Sequence, residues 1–377
     1  MKPKYEVADV FRRYGDEFRV KYVTTENQRK VMAAIMACRT SLLGGHSEVC
    51  DHCGMIRNSY NSCRNRHCPK CQTMTKEEWL DKRRDELLPC GYFHLVFTLP
   101  HEFNPLIRLN RRALLTALFT AVKETLMAFA ADPQWKLKGK PGILTVLHTW
   151  SQTLIDHYHL HCLVPAGVLS FDGRRWIASN DKFLFRIESL AKEFKKRYLA
   201  QIKNNREQLT LPENGTALIA GATGKTWVAY AKKPFSGPEQ VLDYLGRYTH
   251  RIAISNHRIK SIDNGKVIFT YKDRSNNNET RIMALDAVEF IRRFLLHVLP
   301  KRFMKIRYYG FLANVCKKKS VLLIRRLIGR DMATREFIQE TIREKVLRLT
   351  GKDILLCPHC KQGTMEYLRE IPSLNSG

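Results

Sequence analysis

The stretch from Cys38 to Cys71 constrains this chain most: thirty-four residues hold six cysteines and three histidines among glycine and polar residues. The segment DHCGMIRNSYNSCRNRHCPKC lacks the apolar residues of a core, so a bound metal must hold it together. Cys50-x-x-Cys53 and Cys68-x-x-Cys71 are two knuckles fourteen residues apart, close to the spacing that offers four thiolates to one tetrahedral Zn²⁺. Cys38, His46, Cys63 and His67 are enough for a second such site, although spacing alone leaves the partition open. His52, inside the first knuckle, reads as solvent-facing or phosphate-contacting. Arg64, Asn65, Arg66 and Lys70 surround the cysteines and give the folded knuckle a basic surface suited to DNA. Cys357-Pro-His-Cys360 is a lone knuckle that could recruit Cys316 or a partner chain, or be a free turn. Cys90 and Cys162 read as small core residues.

The rest of the chain is of another kind. At 377 residues and 44% apolar content it can bury two or three cores. The net charge is +28, and the basic residues recur in doublets and triplets along the whole length (Arg12-Arg13, Arg111-Arg112, Lys195-Lys196-Arg197, Arg292-Arg293, Lys317-Lys318-Lys319). Such a field draws polyanions and favours nucleic acid over an anionic membrane. The start, MKPKYEVADVFRRYGDEF, lacks an apolar export segment, and no later stretch reads as an uninterrupted bilayer span. A cytoplasmic protein without membrane contact is expected, and in that reducing compartment clustered cysteines read as metal ligands before disulfides.

Residues 5–40 are expected to be helical, with Thr25 and Gln28 spaced as a capping box. YFHLVFTLP is a buried-strand pattern, RRALLTALFTAVKETLMAFA a helix, and ILTVLHTW and HYHLHCLVP two further strands. Strands are also expected at LIAG/KTWVAYAKKP and on either side of Asn264-Gly265, a strong hairpin signal. PEQVLDYLGRYTHRI reads as a helix, and beyond about residue 285 the chain is expected to turn helical. Strand and helix mix without regular alternation, so the class is α+β with an antiparallel sheet. Three parts follow: residues 1–90 with the zinc-binding module, 91–310 with the sheet, and 311–377 as a helical C-terminal region. GATGKT (Gly221 to Thr226) imitates a phosphate-binding loop, but Ile219 stands where that motif needs glycine and a strand follows instead of a helix, so no ATP use is inferred.

Alternate side chains of a strand share a face. His157, His159 and His161 therefore form a rail on one side, while Tyr158, Leu160, Cys162 and Val164 line the other. Imidazoles two apart can converge on one divalent cation, which can polarise a scissile phosphate. Tyr244 and Tyr248 stand four apart on the expected helix, so both phenols leave one face and could serve as nucleophiles. His157, Gln152, Asp156, His94 and His101 are all candidates for a third ligand, and His250 and Arg251 could contact phosphate.

The order of the cysteine module, FTLPHEF, HTWSQTL, HLHCLVP, YLGRYTHRI and KIRYYGFLAN resembles the two-tyrosine rolling-circle transposases of the insertion-sequence-91 type, members of the His-hydrophobe-His endonuclease superfamily. The resemblance spans nearly the whole chain. It implies an antiparallel-sheet nuclease core with flanking helices, His159 and His161 as paired ligands of Mg²⁺ or Mn²⁺, and Tyr244 and Tyr248 as nucleophiles. It also implies one or two structural Zn²⁺ ions and single-stranded DNA at element ends as substrate, with target DNA as second partner. Cleavage would leave a 5′-phosphotyrosine and a free 3′-hydroxyl. Self-association is compatible with this reading, and the cell compartment implied is the bacterial cytoplasm, at the nucleoid when DNA is bound. A plasmid replication initiator shares the chemistry. A non-catalytic zinc-dependent DNA-binding regulator is the alternative of another class.

Overall fold

A computed structural model describes residues 3–135, 137–180, 184–235, 240–242, 244, 246, 252–273, 276–329 and 340–374. The large sheet is antiparallel throughout. Its strands are β3 (Tyr92–Thr98), β4 (Gly139–Trp150), β5 (Asp156–Pro165), β6 (Gly167–Ser170), β7 (Trp176–Ala178) and β8 (Val228–Phe235), in the order β7-β6-β4-β5-β3-β8. Strand β5 is paired on both edges, with His159 opposite His148 of β4 on one side and Thr98 of β3 on the other. Tyr158, Leu160, Cys162 and Val164 enter the main apolar core beneath helices α5 (Arg111–Ala131) and α6 (Ile187–Asn204), so the histidines necessarily face the other way. Helix α5 is by length and composition able to cross a bilayer, although Lys123 and Glu124 interrupt its apolar run. Here it is a core helix, with residues from Leu114 to Ala130 buried against the sheet and α6.

The histidine face of the sheet is covered by a second layer. Tyr92, Leu144, Leu163 and Leu169 pack with Leu80 of α3 (Gln72–Arg84), with Val241 and Tyr244, and with Val321 and Ile324 of a helix at Lys317–Ile328. A third core joins α1 (Val7–Lys21) and α2 (Glu26–Ala37) to a small sheet of β9 (Ile259–Asp263), β10 (Lys266–Asp273) and β11 (Glu279–Asp286) and to the helix Ala287–Leu296. The Thr25/Gln28 capping box starts α2, as its spacing implied. Asn264 and Gly265 both adopt positive φ (49° and 71°), the conformation a two-residue turn needs between twisted strands.

Three segments depart from the sequence reading. LIAG lies in helix α7 (Gly215–Gly224), where alanines favour helix and a short apolar run carries no decisive period. KIRYYG supplies strand β12 (Ile306–Gly310), paired with Gly142–Val146 of β4. Gly310 ends it at φ 64°, where a Cβ would lie 1.7 Å from the Pro141 carbonyl oxygen; no other residue fits. The C-terminal region is not only helical: β13 (Met365–Ile371) adds to β1 (Gly45–Cys50), which pairs with β2 (Ile56–Tyr60), so the tail returns to the cysteine-rich module.

His297, fully buried at the end of the helix Ala287–Leu296, receives the Thr149 hydroxyl at Nδ1 (3.2 Å) and donates from Nε2 to the Leu154 carbonyl (3.0 Å). Burial pushes its pKa from 6.5 down to about 4, so as pH falls the unfolded chain takes up the proton first. The stability of the neutral form is therefore complete above 6.5 and lost between 6.5 and about 4. That loss is worth roughly 3 kcal/mol. Denaturant titrations across this window should show a slope that His297→Asn reduces.

Candidate metal and nucleophile site

Strand register builds the site. His148 on β4 lies directly opposite His159 on β5, and His161 is two residues further along the same face. One ring nitrogen from each of His148, His159 and His161 falls within 4.8 Å of the others, and all three side chains are buried. Nδ1 of His159 donates to the His157 carbonyl oxygen (2.9 Å), which fixes the tautomer and leaves Nε2 with its lone pair. Three imidazoles at this separation fit a divalent cation with open positions.

The sequence named five candidates for the third position, and the geometry brings in a sixth, His148. His157 is half-buried beside His101 (3.3 Å between ring nitrogens). The Gln152 carbonyl accepts from Arg258 (2.6 Å). The buried Asp156 carboxylate is taken up by Arg108 (2.6 Å) and the Tyr158 hydroxyl (3.1 Å). Arg108→Ala would leave that carboxylate buried without its cation, and a loss of about 3 kcal/mol in unfolding free energy is expected by chemical denaturation. The available signal for His148 was a lone histidine in the apolar run ILTVLHTW one hairpin before the rail. Its partner across the ladder could not be read from spacing.

His94 on β3 is the inner neighbour, with Nε2 3.0 Å from Nδ1 of His161. Burial, with Lys232 nearby, lowers its pKa to about 3, so its ring is neutral at working pH. The hydroxyl of Tyr244 lies 3.1 Å from the same His161 Nδ1, and its ring centroid is 4.4 Å from that of His94. The helical segment carrying Tyr244 rests on α3, where a Cβ at Gly246 would already meet Leu80 at 3.1 Å. Tyr248, His250 and Arg251 lie outside the described residues.

The cysteines partition differently from the spacing argument. The two knuckles do not share a site. Cys68 and Cys71, at the start of α3, gather with Cys38 and Cys63, with sulfur separations of 3.5 Å (Cys38–Cys71) and 3.7 Å (Cys63–Cys71). Cys50 and Cys53, at the β1–β2 turn, gather instead with Cys357 and Cys360, because β13 brings the tail knuckle alongside β1. Four thiolates around Zn²⁺ at about 2.3 Å stand about 3.8 Å apart, so the first cluster has the dimensions of a tetrahedral site. Hydrogen bonding from Cys63 and then Cys68 pulls the Cys38 thiol down to about 7, easing the ionisation a dication completes. His46 is no part of either cluster: it is half-buried, 3.7 Å from Glu48. Nor is His67, which burial drives to a pKa of about 3 and which lines a small cavity with Arg66, His297 and Lys305.

Of the basic residues around the knuckles, Arg64 is exposed. Arg66 donates to the Phe303 (2.5 Å) and Pro300 (3.0 Å) carbonyls, and Lys70 to Glu6 (2.6 Å) and the Cys38 carbonyl (3.2 Å). These two charges fasten the module to the rest of the chain, which the sequence alone could not distinguish from a DNA-facing role.

Known proteins resemble this chain over both its cysteine-rich module and its sheet. Residues 142–319, which hold the His148–His161 hairpin and Tyr244, match the family described as "Putative transposase", and residues 10–99 match the "Transposase zinc-binding domain". The chain is 44% identical to the "Putative transposase y4qJ" of Sinorhizobium fredii over 96% of its own length and 94% of that protein. It is 32% identical to the "Transposase for insertion sequence element IS801" of Pseudomonas savastanoi pv. phaseolicola, over 76% of this chain and 71% of the other. No solved structure matches. The chain therefore belongs to the insertion-sequence-91-type transposases, enzymes that cut and join DNA strands, and carries their zinc-binding domain at its N-terminal side.

Proposed function

We propose that this transposase cleaves single-stranded DNA at element ends by tyrosine attack and moves its element by a rolling-circle route. The observation that carries the reading is the Tyr244 hydroxyl 3.1 Å from Nδ1 of His161, itself one of three convergent imidazoles. A nucleophile touching a metal ligand is what in-line attack beside a cation requires.

Mg²⁺ or Mn²⁺, held by His148, His159 and His161, would polarise the scissile phosphate. Nδ1 of His161 lies 3.1 Å from the phenolic oxygen and 3.0 Å from Nε2 of His94, so these two imidazoles orient the Tyr244 hydroxyl toward the scissile phosphate. The Tyr244 oxygen would bond to phosphorus as the bond to the 3′-oxygen breaks, and the phenolic proton would end on that oxygen, which leaves as the 3′-hydroxyl. The 5′-phosphotyrosine conserves the bond for rejoining. Tyr248, four residues further along the sequence, is the second nucleophile, and Arg64 and Arg251 are phosphate contacts. A regulator that merely binds DNA has no use for a phenol against a triple-histidine cluster.

The reading is tested by incubating the protein with end-labelled element-end oligonucleotides, single- and double-stranded, with Mn²⁺ or with a chelator. Cleavage restricted to the single strand and to the Mn²⁺ reaction is expected. Equal cutting of duplex, or cutting in chelator after zinc-only loading, would reject it.

A further inference from the structure

We propose that the two ends of the chain together build a second structural zinc centre, a zinc ribbon whose knuckles are Cys50/Cys53 and Cys357/Cys360. This centre is independent of the nuclease reading, and half of its ligands lie far beyond the matched zinc-binding domain, which ends at residue 99.

The four sulfurs lie within 4.8 Å of one another, with Cys50–Cys360 and Cys53–Cys357 each at 3.7 Å, near the roughly 3.8 Å edge of a zinc tetrathiolate. Each knuckle closes its own turn with a backbone bond and aims one N–H at a cysteine sulfur. On the first, Cys50 N–H donates to the Met55 carbonyl (2.9 Å) and Cys53 N–H points at Cys50 Sγ (3.5 Å). On the second, Cys357 N–H donates to the Gly363 carbonyl (2.9 Å) and Gly363 N–H points at Cys360 Sγ (3.4 Å). Backbone N–H groups aimed at sulfur stabilise thiolates, and one on each knuckle marks a built ligand set.

The knuckles are also fastened to each other. Asp51 Oδ1 accepts from Thr364 N–H (2.7 Å), Arg57 donates to the Ile354 carbonyl (2.7 Å), and a Cβ on Gly363 would lie 2.5 Å from Cys50 Sγ. The apolar support is slight: Cys50, Cys357 and Met365 are the buried members, with Met55 and Cys360 beside them. So small an apolar cluster adds little to the β1–β13 ladder that closes some 300 residues of chain, whereas a structural zinc would lock it.

The ribbon has a mechanical consequence. The helix just before the tail knuckle, Ile342–Thr350, pairs Lys345 with Asp81 (2.5 Å) and Arg348 with Glu77 (3.3 Å) on α3. Helix α3 begins at Cys71 of the first cluster and backs the Tyr244 segment through Leu80. The second zinc thus pins the tail behind the helix that seats Tyr244.

The test is metal content and thiol protection on the full chain. Elemental analysis should find two zinc ions per chain, and Cys357→Ser with Cys360→Ser should hold one. In the wild type, the exposed Cys53 and the half-buried Cys360 should resist alkylation until a chelator is added, then react, a readout needing no variant to fold. In the double variant residues 340–374 should become protease-sensitive. One zinc per chain in the wild type, two in the double variant, or Cys53 and Cys360 alkylating at once with zinc bound would each overturn the proposal.

Discussion

Alanine at His159, or at His148, should lower Mn²⁺-dependent strand cleavage by about 10³-fold, since polarisation of a phosphoryl oxygen by a held cation is worth several kcal/mol. Zinc content should stay at the wild-type value, because both residues lie on the large sheet, away from either cysteine cluster. Excess Mn²⁺ should partly restore His148→Ala, which keeps the two ligands of β5. If the rail were only packing, these variants would shift the unfolding midpoint and leave cleavage per folded molecule unchanged. Glutamine at His94 is a useful contrast, since that side chain touches His161 but is outside the convergent group.

The second large effect concerns the first cysteine cluster. Serine at both Cys68 and Cys71 should unfold residues 61–71, and full removal of zinc the whole stretch 38–71, where metal–thiolate bonding of about 10–16 kcal/mol stands in for an apolar core. Cys38, Cys68 and Cys71 are buried members of the core shared by α1, α2 and the helix Ala287–Leu296, so the damage should spread to the docking of α1 and α2. Limited proteolysis with mass mapping reads this out: new cuts between residues 38 and 71, then around 22–25, are expected. A module that stays protease-resistant after every zinc is removed would contradict the account.

Local chemistry was legible in the sequence and long-range pairing was not. The alternation of HYHLHCLVP separated a core face from a histidine face without reference to any neighbour, and the Asn264-Gly265 turn and the Thr25/Gln28 cap are decided by residues in direct succession. The third histidine depended on which residue of β4 stands across from His159, a matter of register between strands. The zinc partition failed for the same reason. Fourteen residues between knuckles is a permissive spacing, and nothing local reveals that β13 returns three hundred residues later to lie on β1. Arg66 and Lys70 looked like DNA contacts because a charge carries no label for whether a carbonyl or a phosphate will accept its protons.

The most direct test of the central claim is covalent capture. Wild-type protein, Mn²⁺ and a labelled single strand from an element end should give a protein–DNA adduct on a denaturing gel. Digestion should place the attached nucleotide on a peptide containing Tyr244 or Tyr248, and the double Tyr→Phe variant should yield none. An undiminished adduct in that variant, or tight binding of every strand tried with no adduct at all, would contradict the tyrosine mechanism.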